Sequence, residues 1–289
     1  MSQSIELSPL PARLAEIPDA PRQLWLRGVL PEWEQATFLT FVGSRRYSEY
    51  GKLVVDKLIR ELAGLPVVIV SGLALGIDEL AHRAALKYGL PTIAFPGSGL
   101  SDGAIAPATN FRLAMDILAA RGALLSEFDP GQRAAPWTFP KRNRLMAGVS
   151  HAVIVIEATQ KSGTLITARL ATEYNRDVFA VPGSIFRAQA VGAHQLLAAG
   201  AYPVTSGDDI ARHYGLERAQ SASQTHGTEP VELNGIEAAV LKALDEPRSK
   251  AELMALLSKD ISAISIALAG LEIKGYISEA YGKICRVAR

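Results

Sequence analysis

Two short polar segments of the chain contain residue types that bind anions. The first is Phe139-Pro140-Lys141-Arg142-Asn143-Arg144, and the second is Lys161-Ser162-Gly163-Thr164. Pro140 suits the first turn of a helix, where the helix dipole disfavours cations, so a negatively charged ligand is expected nearby. A helix that opens with small polar residues beside a lysine forms a phosphate site with its backbone N–H groups. Either segment alone is explained as well by a capped helix with solvated lysines, but the two together favour a polyanion.

A third segment, Gly43-Ser44-Arg45, follows an apolar run and precedes a predicted helix. Glycine lets a ligand approach the backbone closely, and an arginine guanidinium suits bidentate contact with phosphate. The segment lacks the complete G-x-G-x-x-G spacing of a dinucleotide site, and an arginine that caps a neighbouring helix explains it equally well. It therefore supports anion binding only together with the other two segments.

The elements that position these residues alternate between apolar runs and helical patterns from residue 37 to residue 209. A continuous run of apolar residues such as Ala152 to Ile156 is typical of a parallel strand buried on both faces. The predicted strands are Phe38 to Val42, Val67 to Val70, Thr92 to Phe95, Leu124 to Ser126, Ala152 to Ile156, Val178 to Val181 and Tyr202 to Val204. The predicted helices are Ser48 to Ala63, Ile77 to Tyr88, Asn110 to Ala120, Leu165 to Tyr174 and His194 to Ala199. This alternation predicts an α/β fold with a Rossmann-like, open and mostly parallel sheet, helices on both faces, and a ligand site at the carboxyl ends of the strands.

The composition of the chain changes after Asp209. We assign residues 1–36 to an N-terminal lead-in, 37–215 to the Rossmann-like core, 216–230 to a polar linker and 231–289 to a small C-terminal domain. Three helices followed by a hairpin predict a winged helix for that domain, which is a variant of the helix-turn-helix. Its third predicted helix, Ile261 to Ile273, offers Ser262, Ser265 and the adjacent Lys274 but few cations, so a protein-interaction or packing role is favoured over DNA binding.

Length and composition exclude several classes of protein. The 289 residues are 48% hydrophobic and 20% charged, which is enough for a sizeable core and excludes a disordered chain. The net charge of +1 excludes a globally basic surface, so any nucleic-acid contact must use a local basic groove. A single cysteine, Cys285, excludes an internal disulfide framework and fits a reducing compartment. We find no membrane-spanning run and no signal peptide, so a cytoplasmic location without a membrane partner is expected.

No arrangement of residues in the sequence indicates catalysis. Asp78 and His82 are one helical turn apart, but an aspartate in a first helical turn with a partly buried histidine bonded to it explains them better than acid–base chemistry. Ser44 and Ser162 have no histidine nearby in the sequence that would activate them, and the five histidines lack the spacing of metal ligands. We therefore expect no catalytic residue, no metal and no cofactor.

Taken together and in order, the motifs of the chain resemble the DprA/Smf family, the bacterial DNA-processing proteins of natural transformation. The resemblance is specific because many motifs occur in the same order over nearly the whole chain. They are Asp19-Ala20-Pro21, Leu24-Trp25-Leu26-Arg27-Gly28, Gly43-Ser44-Arg45, Ser71-Gly72-Leu73-Ala74 with Gly76-Ile77-Asp78, Ser126-Glu127, Phe139-Pro140 with Arg142-Asn143-Arg144, Lys161 to Ala168, Val181-Pro182-Gly183 and Gly200-Ala201. The predicted winged-helix tail is similar to one that many family members carry.

The resemblance implies a Rossmann-like core, usually a homodimer, that binds single-stranded DNA. It also implies that the core helps load the RecA recombinase and displaces single-strand-binding protein, without catalytic turnover. The positions that match the family's DNA groove are Arg45, Arg142, Arg144 and Lys161, with Lys141 as an added cation.

Three features of the chain depart from the family pattern. Leu75 stands where many members have an arginine, and the segment from Gly99 to Pro107 is longer and lacks a tyrosine. An amino-terminal helical domain of many relatives is absent or reduced to a short lead-in. These departures make nucleic-acid binding the firmer part of the prediction and a role in transformation the weaker part.

The leading hypothesis is a core that binds single-stranded DNA through its phosphates. The predicted binding residues are Gly43, Ser44, Arg45, Phe139, Lys141, Arg142, Asn143, Arg144, Lys161, Ser162, Gly163 and Thr164. Phe139 or Trp137 would stack on a base, which contributes about 1–3 kcal/mol per base in other single-strand binders. If about four phosphates are neutralised, log affinity should fall with log salt with a slope of roughly −3.

Two other hypotheses stay open from the sequence. The first is a nucleotide or nucleoside-phosphate hydrolase of the lysine-decarboxylase-like type, which has a Pro-Gly-Gly-x-Gly-Thr segment and a downstream glutamate. This chain has Lys161-Ser162-Gly163-Thr164 instead and only Glu173 beyond it, which favours binding. The second is a sensor in which a ligand bound to the core changes the C-terminal domain.

Overall fold

A computed structural model of the chain describes residues 4–31, 35–217, 235–244, 248–257, 260–273, 276–280 and 283–286. The chain divides into two compact units, Met1–Gln220 and Ser221–Arg289. The strands of the larger unit are β1 (Ile5–Glu6), β2 (Trp25–Gly28), β3 (Thr37–Val42), β4 (Val67–Ser71), β5 (Thr92–Ala94), β6 (Ala123–Ser126), β7 (Ala152–Val155), β8 (Asp177–Ala180) and β9 (Tyr202–Pro203). Its α-helices are α1 (Ala12–Ala15), α2 (Glu49–Glu61), α3 (Ile77–Lys87), α4 (Phe111–Ala119), α5 (Thr138–Val149), α6 (Thr164–Glu173), α7 (Val191–Ala198) and α8 (Gly207–Tyr214).

The nine strands form one sheet in the order β1-β2-β6-β5-β4-β3-β7-β8-β9. The pairs from β6 through β9 are parallel, whereas β2 is antiparallel to both β6 and β1. Every residue of β3, β4 and β7 is buried, because helices cover both faces of the sheet. This burial explains the uninterrupted apolar runs of the sequence and confirms the α/β class with a mostly parallel sheet.

Two layers of helices enclose the sheet, each over its own apolar core. On one face, side chains of β3 and β7 such as Phe38 and Val153 pack with Leu145 of α5 and Ala168 of α6. On the other face, alternate residues of the same strands pack with helices α2, α3 and α8. Helix α4 covers a smaller cluster that includes Leu124 of β6. The sheet therefore holds the starts of α2, α3, α5 and α6 in fixed positions around its carboxyl edge.

The direction in which strands are added to the sheet reverses between β3 and β7. The chain first adds β4, β5 and β6 on one side of β3, and then returns to add β7, β8 and β9 on the other side. In open α/β sheets, ligands bind in the crevice outside the carboxyl ends of the strands at such a reversal. The loops that follow β3 and β7 carry Gly43-Ser44-Arg45 and Lys161-Ser162-Gly163-Thr164, so both segments lie at this point.

The lead-in and the end of the core contain elements that the sequence did not predict. Strands β1 and β2 and helix α1 have only two to four residues each, too few for a periodic apolar pattern to appear. Helix α8 begins at a capping box in which Ser206 and Asp209 satisfy each other's backbone N–H groups. Helix α5 was predicted only at its first turn, by Pro140, and the length of that helix was not predicted. The predicted ends of the other strands and helices differ from the observed ends by a few residues at most.

The smaller unit contains three helices, α9 (Gly235–Ala243), α10 (Lys250–Leu257) and α11 (Ile261–Ile273), and then the antiparallel strands β10 (Ile277–Ala280) and β11 (Lys283–Arg286). Leu241, Leu253 and Ile264 belong to its own apolar core. Residues 218–230 of the predicted linker lie outside the described residues. In the described part of the chain, no single helix meets the length and hydropathy of a membrane span; α10 and α11 meet them only jointly, across a bend of 118°.

Candidate functional site

An open pocket of about 580 Å³ lies at the carboxyl edge of the sheet, beside the ends of β3 and β7. Loops after β3 and β4 and the first turns of α5 and α6 form its walls. Its lining residues are Val42, Gly43, Arg45, Ala74, Asp78, Pro136, Phe139, Pro140, Arg142, Asn143, Met146, Ser162, Gly163, Thr164, Ile166 and Thr167. The fold thus gathers residues that are more than a hundred positions apart in the sequence.

Most of the sequence-predicted binding residues line this pocket. Those that do are Gly43, Arg45, Phe139, Arg142, Asn143, Ser162, Gly163 and Thr164. The other predicted residues adjoin lining residues in the sequence and are Ser44, Lys141, Arg144 and Lys161. The three segments singled out by composition therefore meet at one site.

Two helices open toward the pocket without the usual side-chain caps. Helix α5 has Trp137 at its N-cap position and α6 has Gly163, and neither helix has an acidic residue in its first turn. The first turn of a helix carries a partial positive charge. The N–H groups of Thr164, Leu165 and Ile166 are bonded to Ser162 and Gly163, so α6 favours an anion through its dipole rather than through free N–H groups. Two such helix starts at one pocket favour an anionic ligand. Pro140 lies in the first turn of α5, where the sequence predicted a helix start.

The segment before α6 is held in place by its own hydroxyl groups. Ser162 Oγ donates to Thr164 Oγ1 at 2.9 Å and accepts from the Thr164 backbone N–H at 3.2 Å. Thr164 is buried, whereas Lys161 is exposed and lies at the entrance of the segment. The polar residues thus fix the loop and leave the lysine free to face a ligand.

The loop after β3 is packed closely against the start of α3. A side chain at Gly43 would place its Cβ 2.6 Å from Ile77 Cγ1, and the Ile77 N–H donates to the Ser44 carbonyl oxygen at 3.2 Å. Gly76 has a φ of +91°, a backbone conformation that other residues rarely adopt. These contacts explain why glycine stands at position 43 in one motif and at position 76 in another. They also fix the backbone that carries Arg45.

Arg45 and Phe139 form one wall of the pocket. The Arg45 guanidinium carbon lies 5.4 Å from the centre of the Phe139 ring, within the range of a cation–π contact. The Phe139 ring is half-buried and packs over Gly97, where a Cβ would lie 2.6 Å from Phe139 Cδ1. The exposed Arg45 therefore lies over the Phe139 ring, and the ring packs against Gly97.

Arg142 is placed differently from the other predicted cations. It is only 4% exposed, and its guanidinium donates to the backbone carbonyls of Gly72 and Phe95 and, at 3.1 Å, to Asn143 Oδ1. Burial lowers the pKa of Arg142 to about 10, although the nearby Asp78 carboxylate opposes that shift. Arg142 as a DNA contact thus stays a prediction, and in the structure its donors tie α5 to the loops after β4 and β5 at the floor of the pocket.

Arg144 is also used within the fold. Its guanidinium forms a salt bridge with Glu127 in which both side chains are 13% exposed, and a second, longer one at 3.4 Å with Asp19 of the lead-in. Burial raises the pKa of Glu127, and the charge of Arg144 opposes the rise. Arg144 therefore joins the lead-in to the core. Neither Glu127 nor Asp19 could be inferred as its partner from the residues next to Arg144 in the sequence.

Asp78 and His82 do not bond to each other, contrary to the interpretation from the sequence. Asp78 accepts from the Gly72 N–H at 3.2 Å and faces Arg142, and burial raises its pKa against the effect of that arginine. His82 is fully buried and bonds through Nδ1 to Thr92 Oγ1 at 2.7 Å. Both residues are structural, because each is committed to a partner that lies on another segment.

Of the cations predicted to bind, Arg45, Lys141 and Lys161 remain available for a ligand. All three are exposed, and in the described part of the chain none of them forms a salt bridge. The Lys141 ammonium lies 5.3 Å from the centre of the Trp137 ring, whose side chain is 52% exposed. A second pair of cation and aromatic ring thus stands beside the first.

Glu157 is a buried carboxylate next to the site whose role the sequence analysis missed. It is 5% exposed at the end of β7, and its carboxylate accepts from the backbone N–H of Ser48 at 2.9 Å and from the Ser48 hydroxyl. Ser48 in turn caps α2 by accepting from the Gly51 N–H. Glu157 therefore ties the loop after β3 to the loop after β7, and its position at a strand end was the only signal in the sequence.

Glu173, the residue needed by the hydrolase hypothesis, lies away from the pocket. It is the last residue of α6 and pairs with Arg169 on the exposed face of that helix, with 2.7 Å between Oε1 and Nε. The helix has ten residues, so its two ends are about 15 Å apart. The described pocket lining therefore does not include the candidate acid of that hypothesis.

Comparison with known proteins was made for sequence and structure. The family model for DNA recombination-mediator protein A matches residues 5–215. DNA processing protein DprA of Streptococcus pneumoniae is 45% identical over 200 residues, which are 69% of this chain and 69% of that protein. A solved structure of the Streptococcus pneumoniae protein matches 73% of this chain and 74% of its own, with 40% identity and a TM-score of 0.66. A structure of DNA processing protein A from Helicobacter pylori, described for its single-stranded DNA binding mode, matches 74% of this chain and 98% of its own, with 30% identity and a TM-score of 0.66.

Proposed function

The chain belongs to the DNA recombination-mediator protein A family, also known as DprA/Smf, and we propose that its core binds single-stranded DNA in the pocket at the carboxyl edge of the sheet. The observation that carries the proposal is the meeting of two helix starts, which have no acidic residue in their first turns, with three exposed cations that have no acidic partner there. Such a site suits a flexible chain of phosphates. The Helicobacter pylori relative, whose structure is described for its single-stranded DNA binding, supports the choice of ligand.

The phosphate contacts are assigned to Arg45, Lys141 and Lys161, and the dipoles of α5 and α6 add a positive field at their first turns. A charge at an exposed helix end is stabilised by about 0.3–1 kcal/mol, and the arginine fork adds bidentate hydrogen bonds. Ser44, Ser162, Gly163 and Thr164 shape the loops that carry these groups. Arg142, Asn143 and Arg144 act behind them by holding the pocket floor and the lead-in in position.

The two aromatic rings at the pocket supply contacts to bases. Phe139 lines the pocket and Trp137 is half exposed beside it, and each already lies under a cation that would pair with a phosphate. Stacking of one base contributes about 1–3 kcal/mol and tolerates any base, because every base has an aromatic face. The site should therefore prefer an unstacked single strand over a duplex and show little sequence preference.

The site acts by binding rather than by turnover. The buried polar groups near the pocket, Asp78, Arg142 and Glu157, are each bonded to backbone or side-chain partners of the fold. None of them is presented to a ligand as a nucleophile or a free general base. The hydrolase hypothesis is not favoured, and it would gain support only if the purified protein released free base from AMP and lost this activity on Glu173→Ala.

We further propose that the protein works as a homodimer in the cytoplasm, where it loads RecA recombinase on DNA and displaces single-strand-binding protein during transformation. In the smaller unit, three helices followed by an antiparallel hairpin have the element order of a winged helix. Its third helix, α11, contains neither lysine nor arginine, and Ile266 on it is 72% exposed. We therefore assign this unit to contact with a protein partner rather than with DNA.

Equilibrium binding of a fluorescent oligo-dT strand and of a matched duplex tests the proposed function. The wild type should bind the single strand more tightly, and Arg45→Ala/Lys161→Ala should weaken that binding about tenfold or more, since each charged contact contributes about 1.5–3 kcal/mol when it forms fully. Arg83→Ala/Lys87→Ala is the matched control, because it removes two exposed cations of α3 that pair with Glu79 and Asp56. Equal binding by both double variants would refute the pocket as the DNA site.

A further inference from the structure

The loop after β8 presents an aromatic side chain to solvent. Phe186 is 91% exposed, the highest value among the large hydrophobic side chains in the described part of the chain, and its neighbour Ile185 is 78% exposed. Neither belongs to an apolar cluster of the described core. The two side chains are adjacent and form an exposed apolar patch, and such patches mark contacts with a ligand or a partner.

Hydrogen bonds hold the backbone of this loop in a defined turn. The Phe186 N–H donates to Ser184 Oγ at 3.3 Å, and the Arg187 N–H donates to the Ser184 carbonyl oxygen at 3.0 Å. His194 Nε2 lies 3.0 Å from the Gly183 carbonyl oxygen, so α7 is bonded to the base of the loop. The turn thus presents the phenylalanine ring from an ordered support, which lowers the entropic cost of binding through it.

Hydrogen bonds join this loop to α2 and to the loop after β7, both of which adjoin the proposed DNA site. Tyr50 Oη of α2 donates to the Pro182 carbonyl oxygen at 2.8 Å. The Ala158 N–H donates to the Gln189 carbonyl oxygen at 2.8 Å, and the Ala158 carbonyl oxygen accepts from the Gly192 N–H at 2.7 Å. Because β8 is the direct neighbour of β7, the two strand ends are about 5 Å apart. The Phe186 loop therefore continues the same rim of the sheet.

The charge along this rim suits a polyanion. Arg187 follows Phe186, and Arg46 and Lys161 stand on the neighbouring loops. All three are exposed, and no carboxylate pairs with any of them among the described residues. Aromatic side chains interleaved with unpaired cations are the pattern by which proteins bind single strands without sequence preference. Binding of an apolar protein surface would bury these three cations without partners, which costs free energy. Single-stranded DNA is therefore the better occupant, because its phosphates pair with the cations.

We propose that Phe186 is a second stacking platform for single-stranded DNA, with Arg187 as its phosphate contact, and that the strand leaves the pocket across this loop. The inference rests on the proposed function and extends the DNA path from the starts of α5 and α6 to the end of β8. A short DNA strand that fills only the pocket would not reach the Phe186 ring. The contribution of Phe186 should therefore depend on the length of the strand.

Binding of two oligo-dT strands, of about 4 and about 16 nucleotides, tests this inference, since single-strand site sizes span that range. Phe186→Ala should weaken binding of the longer strand about 5- to 150-fold, the equivalent of one lost stack at 1–3 kcal/mol, and leave the shorter strand unchanged. Phe186→Leu, which keeps an apolar side chain, should lose nearly as much, whereas Phe186→Trp should retain binding. Ile185→Ala is the matched control at an equally exposed neighbour and should bind both strands as the wild type does.

Arg187→Ala should reduce the slope of log affinity on log salt by about 0.7 for the longer strand only. If Phe186→Ala binds the longer strand like the wild type, the second platform is refuted while the pocket stands. If Phe186→Leu restores full binding, the contact is not a stack and the proposal fails in that form. If the wild type binds neither strand, the proposed function itself fails, and this inference fails with it.

Discussion

At Gly72 the backbone passes directly beside the buried Arg142 guanidinium. A Cβ there would overlap that guanidinium and lie 2.6 Å from Asp78 Oδ2. We predict that Gly72→Ala lowers the free energy of unfolding by about 3 kcal/mol or more, because the arginine would lose its carbonyl partners and leave a buried charge unpaired. Chemical denaturation followed by circular dichroism measures this change.

Gly131→Ala is the control for that substitution, because a Cβ at Gly131 meets no atom within 4 Å. It should change the free energy of unfolding by no more than about 0.5 kcal/mol. A Gly72→Ala variant as stable as this control would show that the Arg142 contacts contribute little. The role assigned to Arg142 as the residue that ties the pocket floor together would then be wrong.

The types of residue at the site were predictable from the sequence, but their partners were not. Arg45 and Lys161 stand beside small polar residues at strand ends, and those local features indicated anion binding. Arg142 and Arg144 share the same neighbourhood, yet one bonds to carbonyls of Gly72 and Phe95 and the other to Glu127. These partners come from other crossovers of the sheet, and a local pattern holds no information about them.

Among the elements, α3 packs its buried histidine against β5. Burial lowers the pKa of His82 to about 3, below its ordinary value of 6.5. The folded state therefore favours the neutral ring. The contribution of this ring to the free energy of unfolding is fully present above about pH 6.5 and is lost as the pH falls toward 3. Between about pH 7 and pH 5, His82 alone should lower the free energy of unfolding by about 2 kcal/mol.

We predict that His82→Gln, although less stable at neutral pH, loses less stability than the wild type over the same acid range. Urea denaturation at several pH values gives the comparison. An acid sensitivity in His82→Gln equal to that of the wild type would show that this histidine is not the group whose protonation destabilises the fold.

The parallel strands were the most predictable elements because they are buried on both faces. The run that became β7 is apolar at every position, since helices α5 and α6 cover one face and α2 and α3 the other. The strand β2 is short and antiparallel at the far side of the sheet, and its pattern of two buried residues between two half-buried ones is too brief to be distinctive. Long elements with uniform burial leave a clear signal, whereas short elements at the sheet edge do not.

At the scale of the whole molecule, the proposed DNA site belongs entirely to the larger unit. All residues that line the pocket lie between Val42 and Thr167. We predict that a chain ending at Glu217 binds oligo-dT within about twofold of the full chain, because no phosphate contact is removed. Fluorescence anisotropy measures both affinities. A large loss would assign part of the DNA contact to the smaller unit and would favour the sensor hypothesis, in which the two units communicate.

In the proposed function, exposed cations at the carboxyl edge of the sheet neutralise the phosphates of single-stranded DNA. Its most direct test is the affinity for oligo-dT across a series of salt concentrations. Arg45, Lys141 and Lys161 alone predict a slope of log affinity on log salt of about −2, and Arg46 and Arg187 would bring it to about −3.5. Arg45→Ala/Lys161→Ala should reduce the slope by about 1.4. A flat response, or the same slope in the double variant, would contradict the claim.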